Sequence, residues 1–176
     1  MLKILFLCTH NRCRSIMAEA IANSFNDDRL NAVSAGSQPA GEVHPLTLRY
    51  LKKHNIETDN LRSESWDKYS NYDPDVAITL CDSAASEPCP TWLDGTGNIL
   101  RIHWGVRDPS SNPDSKDATE QAFNHTIDLI KTRLKMLLSE IDMIDDKTQL
   151  NDTLKHIALS ITDEPSIADQ PRELTA

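Results

Sequence analysis

The sequence predicts an α/β domain built on a four-stranded parallel sheet with helices on both faces. Short apolar runs alternate along the chain with segments of helical periodicity. The runs at 2–7 and 75–80 lack a strict polar alternation, as strands buried on both faces do. Strands separated by helices require right-handed crossovers and therefore a parallel sheet, whose ligands sit beyond the carboxyl ends of the strands. Cys8, Cys81 and Asp108 each follow a predicted strand, so they are expected on one rim.

Leu2 to Leu7 forms the first strand, and Ser15 to about Phe25 a helix with Met17, Ile21 and Phe25 on one stripe. Asn31 to Ala35 is the second strand, stopped by Gly36. Pro45 suits the first turn of a helix that runs to about His54, with Leu48 and Leu51 inward and Asn55 as its stop. Asp75 to Leu80 is the third strand. Ile99 to Trp104 is the fourth, entered through the turn residues 94–98, whose Gly95-Thr96-Gly97 lacks the frame of a dinucleotide signature. The longest helix is predicted over 118–141, with Phe123, Ile127, Ile130, Leu134, Leu137, Leu138 and Ile141 at helical spacing. A further helix at about 148–161 shows Leu150, Leu154, Ile157 and Ile161, and the polar, acidic stretch from Thr162 to Ala176 is expected to be disordered. Residues 1–145 thus read as the domain and 146–176 as a C-terminal extension.

A net charge of -9 and a pI near 5.0 argue against a nucleic-acid surface, which needs clustered Lys and Arg. No apolar run approaches the roughly 18 residues of a membrane span. His10, Asn11, Arg12 and Arg14 interrupt the N-terminal run where a secretory signal would stay apolar, so a cytoplasmic protein is expected. Four cysteines in a reducing compartment point to catalysis or metal binding, and their spacing lacks the short paired pattern of a zinc site.

The segment Cys8-Thr9-His10-Asn11-Arg12-Cys13-Arg14-Ser15 lies at the strand-to-helix junction. It reads as an oxyanion cradle around a nucleophile. The strand delivers Cys8 to its carboxyl end, and the following helix aims unpaired N–H groups and its positive dipole end back at the sulfur, which favours thiolate over thiol. Residues 9–13 wrap their amides around a tetrahedral anion, Arg14 grips two of its oxygens with a planar fork, and Ser15 adds a hydroxyl donor. The loop has no glycine, so Asn11 is the residue expected to turn left-handed. Cys13 is expected to point into the core. A small buried cysteine at a strand end is the plainer reading of Cys8, but it leaves the coincidence of Cys, Arg and Ser at this junction unexplained.

The run Phe6-Leu7-Cys8-Thr9-His10-Asn11-Arg12-Cys13-Arg14-Ser15-Ile16-Met17-Ala18-Glu19-Ala20 resembles the phosphate-binding loop and first helix shared by low-molecular-weight protein tyrosine phosphatases and the arsenate reductases of the same fold. A second run separates the two. Phosphatase hydrolysis needs no further thiol, yet Thr79-Leu80-Cys81-Asp82-Ser83-Ala84-Ala85-Ser86-Glu87-Pro88-Cys89-Pro90 carries two more after the third strand. Cys8 could attack an oxidised oxyanion, Cys81 attack Cys8 and expel the reduced product, and Cys89 resolve the bond. A helix over 81–89 would hold the two Cα atoms about 12 Å apart, whereas a disulfide needs about 7 Å, so residues 82–92 must rearrange on oxidation.

This arrangement is similar to the arsenate reductases over roughly residues 2–142. The resemblance implies that Cys8, Arg14, Ser15, Cys81, Cys89 and Asp108 are catalytic and that 8–14 bind the oxyanion. It implies no bound cofactor but an external reductant, thioredoxin or glutaredoxin with glutathione. Phosphate and sulfate would compete with arsenate. Seven residues separate Cys81 from Cys89, where thioredoxin-coupled members often have six, which bears on the donor. Asn11, Glu19 and Ser34 match positions that surround a potassium ion in some members. Asp108-Pro109-Ser110 reads alone as a turn and beside Cys8 as the acid that protonates the departing oxygen. His103 and Trp104 fall near the rim, with packing the simpler role. Trp66, Tyr69, Tyr72 and Trp92 could wall a phosphotyrosine cleft or simply pack. A phosphatase, and a phosphate-binding or redox-sensing module without turnover, are the alternatives.

Overall fold

A computed structural model describes residues 1–88, 90–94, 99–111 and 115–163. Four parallel strands, β1 (Leu2–Cys8), β2 (Leu30–Gly36), β3 (Val76–Thr79) and β4 (Leu100–His103), are ordered β2-β1-β3-β4. Register runs Leu2 against Leu30 through Cys8 against Gly36, Ile4 against Val76, and Val76 against Leu100. The chain leaves β1 toward β2 on one side and returns to β3 on the other. The crevice beyond the carboxyl end of β1 is therefore a topological switch point, where open α/β sheets bind ligands.

The helices are α1 (Arg14–Ser24), α2 (Pro45–Lys53), α3 (Asp82–Ser86), α4 (Thr91–Asp94), α5 (Lys116–Glu140) and α6 (Lys147–Ser160). Alternation along the strands divides the core. Ile4, Phe6, Val76 and Ile78 face the long helices, whose Met17, Ile21, Leu51, Ile127, Leu134 and Leu154 are fully buried among them. Leu5, Leu7 and Ala77 face the opposite side, covered more thinly by Leu93 of α4 and by Trp66 and Tyr69 of a 3₁₀ turn. The C-terminal helix α6 shares the larger core through Leu150, Leu154 and Ile157, while residues 164–176 lie outside the described residues.

Predicted and observed elements differ mainly at their ends. Strands three and four are shorter than expected, and α5 begins at Lys116 because the Ser115 hydroxyl accepts the Ala118 amide and caps it. Trp104 packs inward against Phe6, its indole N–H donating to the Leu154 carbonyl, so it ties α6 to the sheet and does not line the rim. The short helix α4 had no periodicity to announce it. Among the described residues no helix is long and apolar enough to cross a membrane.

Candidate active site

Residues 9–13 leave β1 and enter α1 around a tight loop in which Asn11 alone has a left-handed backbone, φ 43°. Its side chain fixes that strained position from inside. The Asn11 amide donates to Ser15 Oγ and Ser34 Oγ, each at 2.9 Å, and its carbonyl accepts the Glu64 amide at 2.7 Å. Three loop carbonyls are turned outward. Those of Thr9, His10 and Arg12 accept the amides of Gln38, Ala40 and His44, each at 2.9 Å. Every described peptide is trans, so a carbonyl turned out places the next residue's N–H on the opposite side. The amides of His10, Asn11 and Cys13 are thereby directed at the inside of the loop. No side chain caps α1, which leaves its first amides for the same space.

Gly36 makes this wrapping possible. A Cβ built there would stand 2.6 Å from the Thr9 carbonyl oxygen and 3.0 Å from Asn11. Sequence reading took Gly36 only as a strand stop, because the approach of a loop 25 residues earlier leaves no local signal.

Cys8 is 5% exposed, and its Sγ lies 2.8 Å from Ser15 Oγ. Ser15 already accepts from Asn11, so its one proton is free to point at the sulfur. The Arg14 guanidinium reaches the Val106 carbonyl at 3.0 Å and Asp108 Oδ2 at 3.3 Å. Asp108 Oδ1 accepts the Ser110 amide and hydroxyl, which hold the carboxylate at the rim. Cys8, Thr9, His10, Arg12, Cys13, Arg14, Cys81, Ser83 and Asp108 line one cavity of about 240 Å³.

Cys81 precedes α3 and is 4% exposed, packed with Cys8 and Ala84 in a small cluster. Its Sγ accepts the Ala84 amide at 3.4 Å and lies 3.7 Å from Thr9 Oγ1. Cys89 lies outside the described residues. His103 stands behind this segment, touching Thr79 Oγ1 at 2.9 Å and Asp82 at 3.1 Å. Cys13 points into the larger core, and burial pushes its thiol up to about 12, well out of reach of nucleophilic chemistry.

Asn11, Glu19 and Ser34 come together behind the loop, yet as placed they do not fit a potassium ion. Asn11 offers Ser34 its amide, a donor, while its oxygen is held by Glu64, and Ser34 donates to Glu19 Oε2 at 2.6 Å. The groups satisfy one another, where a cation needs converging acceptors. Burial pushes the Glu19 carboxyl up to about 7 against the opposing Ser34 hydrogen bond. Among the described residues no cluster of His, Cys, Asp and Glu could hold a metal ion. Trp66, Tyr69, Tyr72 and Trp92 do not line the cavity; Tyr69 donates to Glu64, and Tyr72 to Asn31.

Comparison with known proteins places the chain among relatives of the same fold. Arsenate reductase of Bacillus cereus (strain 03BB102) is 36% identical over 132 residues, covering 75% of this chain and 90% of its own. A solved arsenate reductase in its phosphate-binding state superposes with a TM-score of 0.62 at 25% identity, over 80% of this chain and 99% of that one. A thioredoxin-dependent arsenate reductase of Corynebacterium glutamicum shares the fold, with a TM-score of 0.61 at 23% identity over 81% of this chain and 63% of its own. The family model for low molecular weight phosphotyrosine protein phosphatase matches residues 3–149, from β1 to the start of α6. That match runs over most of the chain and takes in the strand, loop and helix that build the cavity, and the chain belongs to the low molecular weight phosphotyrosine protein phosphatase family.

Proposed function

We propose that the chain is an arsenate reductase that converts arsenate to arsenite by a relay of Cys8, Cys81 and Cys89. The observation that carries this reading is the second buried thiol: Cys81 lines the same cavity as Cys8 and packs against it. Hydrolysis has no use for a thiol in that position, whereas reduction requires one. The relatives named arsenate reductases favour the same reading.

Arsenate enters the ring of inward amides, where Arg14 balances its charge. The Cys8 thiolate, held by Ser15, attacks arsenic, and Asp108 protonates the departing oxygen, which leaves as water. Cys81 then attacks the Cys8 sulfur. The sulfur–arsenic electron pair departs with arsenic, arsenite leaves, and a Cys8–Cys81 disulfide remains. Cys89 attacks Cys81, frees Cys8 and leaves a Cys81–Cys89 disulfide for an external dithiol, thioredoxin or glutaredoxin with glutathione, to reduce. Residues 82–92 rearrange in that step, residues 1–145 carry the chemistry, and a cytoplasmic, reducing location suits the cycle. Phosphate and sulfate, tetrahedral oxyanions like arsenate, compete for the loop, but phosphorus on sulfur offers no route to reduction by a second thiol.

The phosphatase alternative lacks a wall for an aryl group, since no Phe, Tyr or Trp lines the cavity among the described residues. The test is a thiol count. Reduced protein given arsenate without added thiol loses two free thiols per arsenite released, and Cys81→Ser or Cys89→Ser stops turnover. Four thiols left intact beside rapid phosphotyrosine hydrolysis would establish the phosphatase instead. Phosphate binding that survives Cys8→Ser, in a wild-type protein that turns over neither substrate, would leave a binding module.

A further inference from the structure

We infer that Glu87 is the proton acceptor that activates Cys81, acting through the Thr9 hydroxyl; this deepens the reductase reading and rests on it. The argument is a count of protons. Thr9 Oγ1 lies 2.9 Å from Glu87 Oε1 and 3.7 Å from Cys81 Sγ. A hydroxyl has one proton, and a carboxylate can only accept, so the Thr9 proton belongs to Glu87. Thr9 then faces Cys81 with a lone pair, and the thiol must be the donor in that contact. The result is a directed path from Cys81 S–H to Thr9 oxygen to the Glu87 carboxylate.

Two further observations place the acceptor at the end of a line. Glu87 Oε2 is buried and, among the described residues, meets no hydrogen-bond partner, an arrangement that costs free energy unless a proton or a moving group uses it. Cys81 and Glu87 are the N-cap and C-cap of the short α3, and the Glu87 amide donates to the Ser83 carbonyl, so one short helical segment holds nucleophile and acceptor, both within reach of Thr9 Oγ1. Ser15 serves Cys8 in a parallel way, with one difference. Ser15 receives its bond from a neutral amide and gives its proton to sulfur, stabilising a thiolate; Thr9 gives its proton to a carboxylate and receives one from sulfur, generating a thiolate.

In the step concerned, the adduct Cys8–S–AsO₃H⁻ and the Cys81 thiol give the Cys8–Cys81 disulfide and H₂AsO₃⁻. The two sulfurs lose two electrons and arsenic gains them. The thiol proton passes to Thr9 as the Thr9 proton passes to Glu87, and returns through solvent to arsenite. Glu87 touches no reacting atom and is therefore a positioning residue with a protonic role.

The experiment uses the full reduced chain and inorganic arsenate, following arsenate-dependent loss of free thiols in a single turnover. Glu87→Gln keeps the size and an acceptor for Thr9 but cannot take the proton. Near pH 7 it should slow thiol loss about 100-fold, the lower range of general-base effects. The deficit should close above about pH 9, where hydroxide ionises an ordinary thiol without help. Thr9→Val should show the same deficit and the same recovery, and the double variant should be no slower than either alone, since both cut one path. Unfolding temperatures within a degree or so of wild type exclude a folding defect. A rate within threefold of wild type near pH 7, a deficit equally large at high pH, or deficits that multiply in the double variant would each overturn the inference. Wild-type protein that loses no thiols to arsenate would instead overturn the reductase reading, before any substitution is made.

Discussion

Replacing Gly36 by alanine tests whether the loop's shape comes from outside the loop. The added Cβ would sit 2.6 Å from the Thr9 carbonyl oxygen, against the 3.4 Å at which ordinary contact begins, so about 0.8 Å of separation must be found. Neither side yields easily. Gly36 is in register with Cys8 and its amide donates to the Glu64 carbonyl at 2.9 Å, while the Thr9 carbonyl accepts from Gln38 and Asn11 is held through three hydrogen bonds. Overpacking of this kind costs roughly 1–3 kcal/mol. The larger consequence is for the anion, because a misplacement near 1 Å at a reacting centre costs on the order of 100-fold in rate. Gly36→Ala should unfold a few degrees lower, bind phosphate at least tenfold more weakly by calorimetry, and lose arsenate-dependent thiol oxidation by about two orders of magnitude. Wild-type phosphate affinity and turnover in this variant would show that the carbonyl tethers do not set the amide directions.

Other perturbations address the surroundings. Glu19, pushed by burial from 4.5 to about 7, contributes stability that is present below pH 4.5 and lost as pH rises through 7, on the order of 3 kcal/mol in all. Glu19→Gln should flatten that fall in unfolding temperature between about pH 5 and 8, and an unchanged slope would remove Glu19 as its source. Arg133 is 2% exposed, and its guanidinium serves the carbonyls of Trp104, Gly105 and Ile161, joining α5, the loop leading to Asp108 and the end of α6. Arg133→Ala strips three carbonyls and opens a cavity, so it should cost about 3 kcal/mol or more and roughly 6–12 °C in calorimetry; a loss under 1 kcal/mol would contradict that account. Iodoacetamide applied to native reduced protein near pH 8 should leave Cys13 unmodified, as its buried thiol titrates only at about 12, and peptide mass analysis reads the outcome directly. Modification of Cys13 at the rate of Cys8 would show it to be open to solvent.

What was legible in the sequence is what depends on neighbours along the chain. Strand polarity, the left-handed turn at Asn11 and the helix expected from Ser15 follow from local residue types; the first two stand where they were expected, and the helix begins one residue earlier, at Arg14. The expected juxtaposition of Cys8, Cys81 and Asp108 needed only the rule for parallel sheets. Long-range contacts were hidden. Arg133 sits on a helix whose apolar stripe can be read, but nothing local says that an arginine beside that stripe is buried to reach carbonyls 28 and 29 residues away. Glu87 carries no local signal of its role, since its partner Thr9 is 78 positions distant. Trp104 falls near the rim by its position at a strand end, with packing the simpler role; packing is what the structure shows, but the partner of its indole N–H, the Leu154 carbonyl of α6, has no local signal.

The loop itself shows why a motif is not a site. Amides face inward because carbonyls are pulled outward, and the pull comes from Gln38, Ala40 and His44, on the connection between β2 and α2, with Ser63 and Thr47 adding hydroxyl donors to His10 and Arg12. Glu64 closes the arrangement by giving its amide to Asn11 and its carbonyl to Gly36. Each tether is an ordinary hydrogen bond of about 1 kcal/mol, yet together they fix peptide planes that would otherwise rotate toward water. The anion affinity proposed for this chain would therefore be a property of three segments, and a graft of residues 8–15 onto another strand–helix junction would carry the cysteine and the arginine without the cradle.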